Sequence, residues 1–114
     1  MKILVTGGLG FVGSNLVDRL VELGNDVVVI DNLSSESSSE HYKNKAAEYI
    51  IRDIRNLDCL DFTYNFDAIF HLAGLARIQP SFEEPIEYVD VNITGTAKVC
   101  ELAKSHNARL IYSS

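Results

Sequence analysis

The sequence predicts an α/β domain: a doubly wound, open parallel sheet of strand order 3-2-1-4-5, stopping after the fifth strand. Three observations predict it. Short β-branched runs alternate with stretches of helical periodicity along all 114 residues. Val27-Val28-Val29-Ile30 is apolar at every position, as a strand covered on both faces must be. A glycine-spaced loop, Gly7-Gly8-Leu9-Gly10-Phe11-Val12-Gly13, joins the first strand to the first helix.

Each element has its own warrant. Lys2 to Thr6 reads as a strand broken by Gly7-Gly8. From Phe11 to Leu23 the apolar residues at 12, 16, 17, 20, 21 and 23 form one helical face, and Gly24-Asn25 ends the helix. Asp26 leads into the second strand. Asn32 to Ser39 is polar and serine-rich, a loop. Glu40 to Ala47 reads as a weak helix, Glu48 to Ile51 as a third strand, and Ala68 to Leu72 as a fourth, ended by Ala73-Gly74. Pro85 suits the first turn of a long helix, because its missing N–H would have no partner there. Apolar positions 86, 89, 93, 97, 100 and 103 carry that helix to Lys104. Gly95 interrupts it at about 1 kcal/mol relative to alanine, which implies close packing against a neighbour. Arg109 to Tyr112 is the fifth strand. Parallel neighbours require such crossovers.

The loop glycines at 7, 10 and 13 are spaced GxxGxxG rather than GxGxxG, yet the physical task is the same. One makes a tight turn, one lets backbone approach a pyrophosphate, and one lets the helix pack close to the sheet. The pyrophosphate then sits at a helix N-terminus, where unpaired N–H groups favour an anion. Asp31 ends the second strand 18 residues after Gly13, where an acid is expected on the adenosine ribose hydroxyls. Motif and context together predict a Rossmann-type dinucleotide-binding domain over residues 1–114. A carboxylate at 31 repels a 2′-phosphate, and no arginine lies between residues 20 and 51 to hold one, so NAD is favoured over NADP.

Bulk properties exclude other classes. The net charge of −6 argues against a nucleic-acid partner and against an anionic membrane surface. No apolar run approaches the ~20 residues of a membrane span, and no signal-peptide core precedes the glycine loop, so a cytoplasmic protein is expected. The two cysteines, Cys59 and Cys100, lack metal-ligand spacing and read as reduced thiols, and no metal site is expected.

Thr6-Gly7-Gly8-Leu9-Gly10-Phe11-Val12-Gly13, followed by Asp31-Asn32-Leu33-Ser34-Ser35, resembles the extended short-chain dehydrogenase/reductases. Within them it is most similar to the NAD-dependent sugar-nucleotide epimerases and dehydratases, of the UDP-glucose 4-epimerase type. Arg52-Asp53-Ile54-Arg55, His71-Leu72-Ala73-Gly74-Leu75, the pattern Ser81, Pro85, Tyr88, Asn92, Gly95, Thr96, and Leu110-Ile111-Tyr112-Ser113-Ser114 continue the resemblance in order. It implies that Gly7, Gly10, Phe11, Val12 and Gly13 meet the pyrophosphate. Asp31 would hold the ribose, and Asn32, Leu33, Ser34 and Ser35 would line the same edge. Asp53 would accept from the adenine amino group, with Ile54 packed on the ring. Leu72, Ala73 and Gly74 would run beside the nicotinamide half. Ile54, Leu72 and Ala73 also suit plain sheet core, and Asn92 suits either the cofactor or its own helix. His71 reads as structural, since no partner acid or nucleophile accompanies it.

The same resemblance implies a nucleotide-sugar substrate, hydride transfer through bound NAD, and a homodimer. Its chemistry uses a Tyr-x-x-x-Lys pair. The tyrosines at 42, 49, 64, 88 and 112 have no lysine four places on. The 114 residues therefore read as the amino-terminal part of such an enzyme, without a catalytic residue and inactive alone. Epimerase, dehydratase, reductase and a non-catalytic NAD-binding module all remain open on these residues.

Overall fold

A computed structural model describes residues 1–33, 43–58, 62–73 and 83–112. Five strands, β1 (Lys2–Thr6), β2 (Asp26–Asp31), β3 (Glu48–Ile51), β4 (Ala68–His71) and β5 (Arg109–Tyr112), form one sheet. All four pairings are parallel and the order is β3-β2-β1-β4-β5, as the sequence predicts.

The sheet is apolar on both faces, and strand parity assigns each residue to one of them. Leu4, Val28, Ile30 and Ile69 join Ile54, Leu57, Phe66, Val99, Leu102 and Ala103 in one core layer. Ile3, Val5, Val27, Val29 and Ala68 join Val17 and Leu20 of helix α1 (Phe11–Glu22) in the other. All four residues of the Val27–Ile30 run are completely buried, which accounts for the unbroken apolar stretch.

The long helix runs from Pro85 to His106 as α2 (Pro85–Val89), a π-helical turn (Asp90–Thr94) and α3 (Gly95–His106). The apolar stripe expected to face the core mostly does not. Ile86, Val89 and Ile93 are exposed, as are Ala97 and Cys100, whereas Val91, Gly95, Val99, Leu102, Ala103 and His106 are buried. The helix carries two apolar stripes, and packing against Ile54 and Leu57 selects the second one. A Cβ at Gly95 would lie 2.6 Å from Ile54 Cγ1, so the close packing inferred there is with Ile54.

A second difference concerns the expected helix from Glu40 to Ala47. Residues 43–47 form a turn instead, and 40–42 lie outside the described residues. The Asn44 side chain accepts the Ala46 N–H at 2.9 Å, a local bond that competes with helix formation. Among the described residues no helix is long and apolar enough to cross a membrane.

Candidate dinucleotide site

Strand order reverses at β1, which sits between β2 and β4, and the carboxyl ends of the strands open there into the crevice that α/β sheets use for ligands. The predicted site residues in the described regions, Asn92 aside, lie at these ends. Gly7 to Gly13 follow β1, Asp31 to Leu33 end β2, Asp53 and Ile54 follow β3, and Leu72 and Ala73 follow β4. Asn92 lies in the π-helical turn. Ser34, Ser35 and Gly74 fall outside the described residues.

Backbone sterics dictate the glycine loop. Gly7 has φ of +74°, and a Cβ there would stand 2.8 Å from the Ala73 nitrogen. At Gly13 a Cβ would collide with the Gly7 carbonyl, so α1 can lie this close to the loop only without one. Gly10 is the N-cap of α1, and around its absent Cβ the one nearby atom is the Gly7 oxygen at 3.5 Å. That opening faces first-turn N–H groups that have no intrahelical acceptor. No acid occupies the first turn and no side chain caps it. An anionic diphosphate fits such a cradle. Phe11 and Val12 are both exposed at its mouth, and Val12 departs here from the core-facing stripe expected of it.

Asp31 is buried, and each carboxylate oxygen accepts one backbone N–H. Oδ2 takes Leu9 at 3.0 Å and Oδ1 takes Leu33 at 2.7 Å. The first bond staples the glycine loop to β2. The second holds Leu33 at φ of +61°, a left-handed conformation that costs a leucine about 1 kcal/mol. Each oxygen retains a lone pair for a ribose hydroxyl. The staple was not legible in the sequence, and neither was the packing of Gly8, where a Cβ would meet Val29 and Val17.

Behind the crevice a one-way chain of hydrogen bonds joins β1, β4 and the long helix. Thr6 Oγ1 accepts the Leu72 and Ala73 N–H groups, each at 3.1 Å, so its own hydrogen points to His71 Nδ1 at 2.7 Å. His71 Nε2 therefore carries the ring proton and donates to Thr96 Oγ1 at 2.9 Å. Thr96 in turn donates to the Asn92 carbonyl at 2.7 Å. His71 thus positions the Leu72–Ala73 backbone as a neutral imidazole. Burial pushes its pKa down to about 4.

The sign of the resulting pH dependence follows. The unfolded imidazole binds a proton near pH 6.5 while the folded one resists until about pH 4. The unfolded state binds more protons across that window, so stability falls as pH drops through it and levels off below it. The loss is about 3 kcal/mol by the size of that shift. Urea unfolding at pH 7, 5.5 and 4 measures it, and His71→Gln should flatten this part of the profile. Parallel profiles for the two proteins would remove His71 as the cause.

Asp53 and Ile54 adjoin a 3₁₀ turn (Ile54–Asn56) that Asp53 caps by accepting the Arg55 N–H at 2.9 Å. Ile54 is buried in the core layer. The Asp53 carboxylate is gripped by the Arg55 guanidinium and reached by Asn32 Nδ2 at 3.3 Å. Arg55 holds its carboxyl below the usual carboxylate range. Sequence reasoning gave Arg55 no role. Its signal was a cation two residues after a predicted ligand contact.

The sequence pattern of the NAD dependent epimerase/dehydratase family matches residues 3–114. The chain belongs to this family. A putative UDP-glucose 4-epimerase of Methanocaldococcus jannaschii is 35% identical over 98% of the chain and 37% of that relative. Among solved structures, UDP-glucose 4-epimerase of Thermotoga maritima with UDP-glucose superposes with a TM-score of 0.93. It is 35% identical and matches 100% of this chain and 38% of its own. The Thermus thermophilus UDP-glucose 4-epimerase complex with NAD superposes with a TM-score of 0.86 at 29% identity, over 100% of this chain and 37% of that one. The chain therefore spans little more than a third of the length of these relatives.

Proposed function

We propose that residues 1–114 form the NAD-binding part of a sugar-nucleotide epimerase of the UDP-glucose 4-epimerase type. The observation that carries this reading is Asp31, a buried carboxylate bonded to the Leu9 N–H of the glycine loop. It sets a ribose acceptor and a diphosphate cradle in one rigid unit. Gly7, Gly10, Phe11, Val12 and Gly13 would meet the diphosphate. Asn32, Leu33, Ser34 and Ser35 would border the ribose, and Asp53 and Ile54 the adenine. Leu72, Ala73, Gly74 and Asn92 would flank the nicotinamide half. Bound NAD supplies a hydride acceptor and donor. The likeness to a relative solved with NAD supports the choice of cofactor, and the likeness to one solved with UDP-glucose supports a nucleotide-sugar substrate.

Catalysis of this kind needs a positioned base, and no tyrosine here has a lysine four residues on. Incubated with NAD and UDP-glucose, the 114-residue protein should show saturation-transfer NMR contact with NAD and accumulate no UDP-galactose. Turnover would contradict the division of labour proposed, and absence of NAD contact would contradict the reading itself. Two copies would pair as a homodimer through the exposed apolar face of Ile86, Val89 and Ile93, and a strictly monomeric sedimentation profile at high concentration would exclude that pairing.

A further inference from the structure

We propose that Arg55 is the positioning residue that aims the Asp53 carboxylate at the adenine amino group, and so makes the site selective for a 6-aminopurine over a 6-oxopurine dinucleotide. This rests on the NAD reading above and extends it to a residue outside the predicted site.

All five N–H groups of the Arg55 guanidinium have a carboxylate in reach. Nε and Nη2 close on Asp53 at 3.0 and 2.6 Å. Nη2 and Nη1 meet Glu87 at 3.3 and 3.1 Å, and Nη1 meets Asp90 at 2.7 Å. Glu87 belongs to α2 and Asp90 begins the π-helical turn. The long helix thus holds the guanidinium from behind while its other edge fixes Asp53. A planar fork is the one cationic group able to serve both edges at once.

Two consequences bear on recognition. The Asp53 carboxyl is held below the usual carboxylate range by the Arg55 guanidinium, so it meets a ligand as a pure acceptor. An ionised carboxylate only accepts, so it welcomes a 6-amino group and repels a 6-oxo group. Its orientation is also fixed: Oδ1 accepts the Arg55 backbone N–H at 2.9 Å and Nε at 3.0 Å, and Oδ2 accepts Nη2 at 2.6 Å and, more weakly, Asn32 Nδ2 at 3.3 Å. The acceptor position that Asn32 holds at this longer distance is the one an amino group would take. Without Arg55, three carboxylates would stand together with no shared cation. The Asp53 carboxylate would lose the guanidinium bonds that fix its orientation, and an acceptor no longer held at the 6-position of the ring discriminates less between an amino and an oxo group.

The test compares binding of NAD and nicotinamide hypoxanthine dinucleotide by calorimetry in the wild type, Arg55→Met and Arg55→Lys, alongside the ¹³C titration of the Asp53 carboxyl without ligand. One charge-assisted hydrogen bond sets the wild-type preference for NAD at about tenfold. Arg55→Met should bring that ratio to within about twofold and raise the Asp53 titration, and Arg55→Lys should restore the titration more than the ratio. A purely structural Arg55 would weaken both dinucleotides equally and keep the ratio, which would overturn the proposal. Equal wild-type binding of the two ligands would also overturn it while leaving the NAD reading standing. Wild-type binding of neither would bring down the NAD reading and this inference with it.

Discussion

Gly13→Ala should lower the stability of the protein by about 3 kcal/mol, near the upper end of what overpacking costs. The added methyl would collide with the Gly7 carbonyl and stand 2.9 Å from both the Gly7 carbonyl carbon and Gly8 Cα. These are backbone atoms of a loop that is itself pinned. Gly7 donates to the Ile30 carbonyl at 2.8 Å, and Leu9 is fully buried and bonded to Asp31. Neither side can yield cheaply, so α1 would have to withdraw from the sheet. Two other glycines calibrate the effect. A methyl at Gly95 meets the Ile54 side chain, which can change rotamer, so Gly95→Ala should cost less. Gly24 has φ of +87° and nothing within 4 Å of an added Cβ, so Gly24→Ala isolates backbone strain at about 1 kcal/mol. Urea unfolding of the three variants should rank them Gly13, Gly95, Gly24. An unchanged midpoint for Gly13→Ala would refute the packing described for the loop.

Asp31→Asn should weaken NAD binding by about 10- to 100-fold and erase the preference for NAD over NADP. The affinity loss corresponds to the charge-assisted bonds proposed between Asp31 and the ribose hydroxyls, each about 1.5–3 kcal/mol. The loss of preference follows from removing the negative charge that opposes a 2′-phosphate. The variant also bears a stability cost. One carboxylate oxygen becomes an NH₂ group, so either the Leu9 or the Leu33 N–H would face a donor. Leaving such a group unsatisfied costs about 1–3 kcal/mol. Calorimetry with each dinucleotide checks the first effect and urea unfolding the second. Retained NAD affinity with lowered stability would reduce Asp31 to a structural staple.

What the sequence discloses here is whatever a local pattern can encode. Val27 to Ile30 announces a doubly covered strand because burial on both faces leaves no polar position. The glycine spacing announces the loop because Gly7 needs its positive φ and Gly13 its missing Cβ. Asp31 is legible because strand β2 ends on it. The features that escaped are those that depend on which distant groups meet. The long helix offers two apolar stripes of helical period, and only contact with Ile54 and Leu57 decides between them. The route from Thr6 through His71 to Thr96 joins positions 65 and 25 residues apart, and no spacing rule encodes it. Arg55 reaches Glu87 and Asp90 across more than 30 residues for the same reason. The turn at Asn44 is local, yet a side-chain bond defeats a helical pattern that was weak to begin with.

The most direct test of the proposed NAD site is a thermal-shift titration of the wild-type protein with NAD and with NADP. A ligand that binds only the folded state adds RT ln(1 + [L]/Kd) to stability, about 2.7 kcal/mol at 100 times Kd. The geometry of Asp31 and the glycine loop predicts a saturable rise in Tm with NAD and little or none with NADP. No shift with either dinucleotide, or an equal shift with NADP, would contradict it.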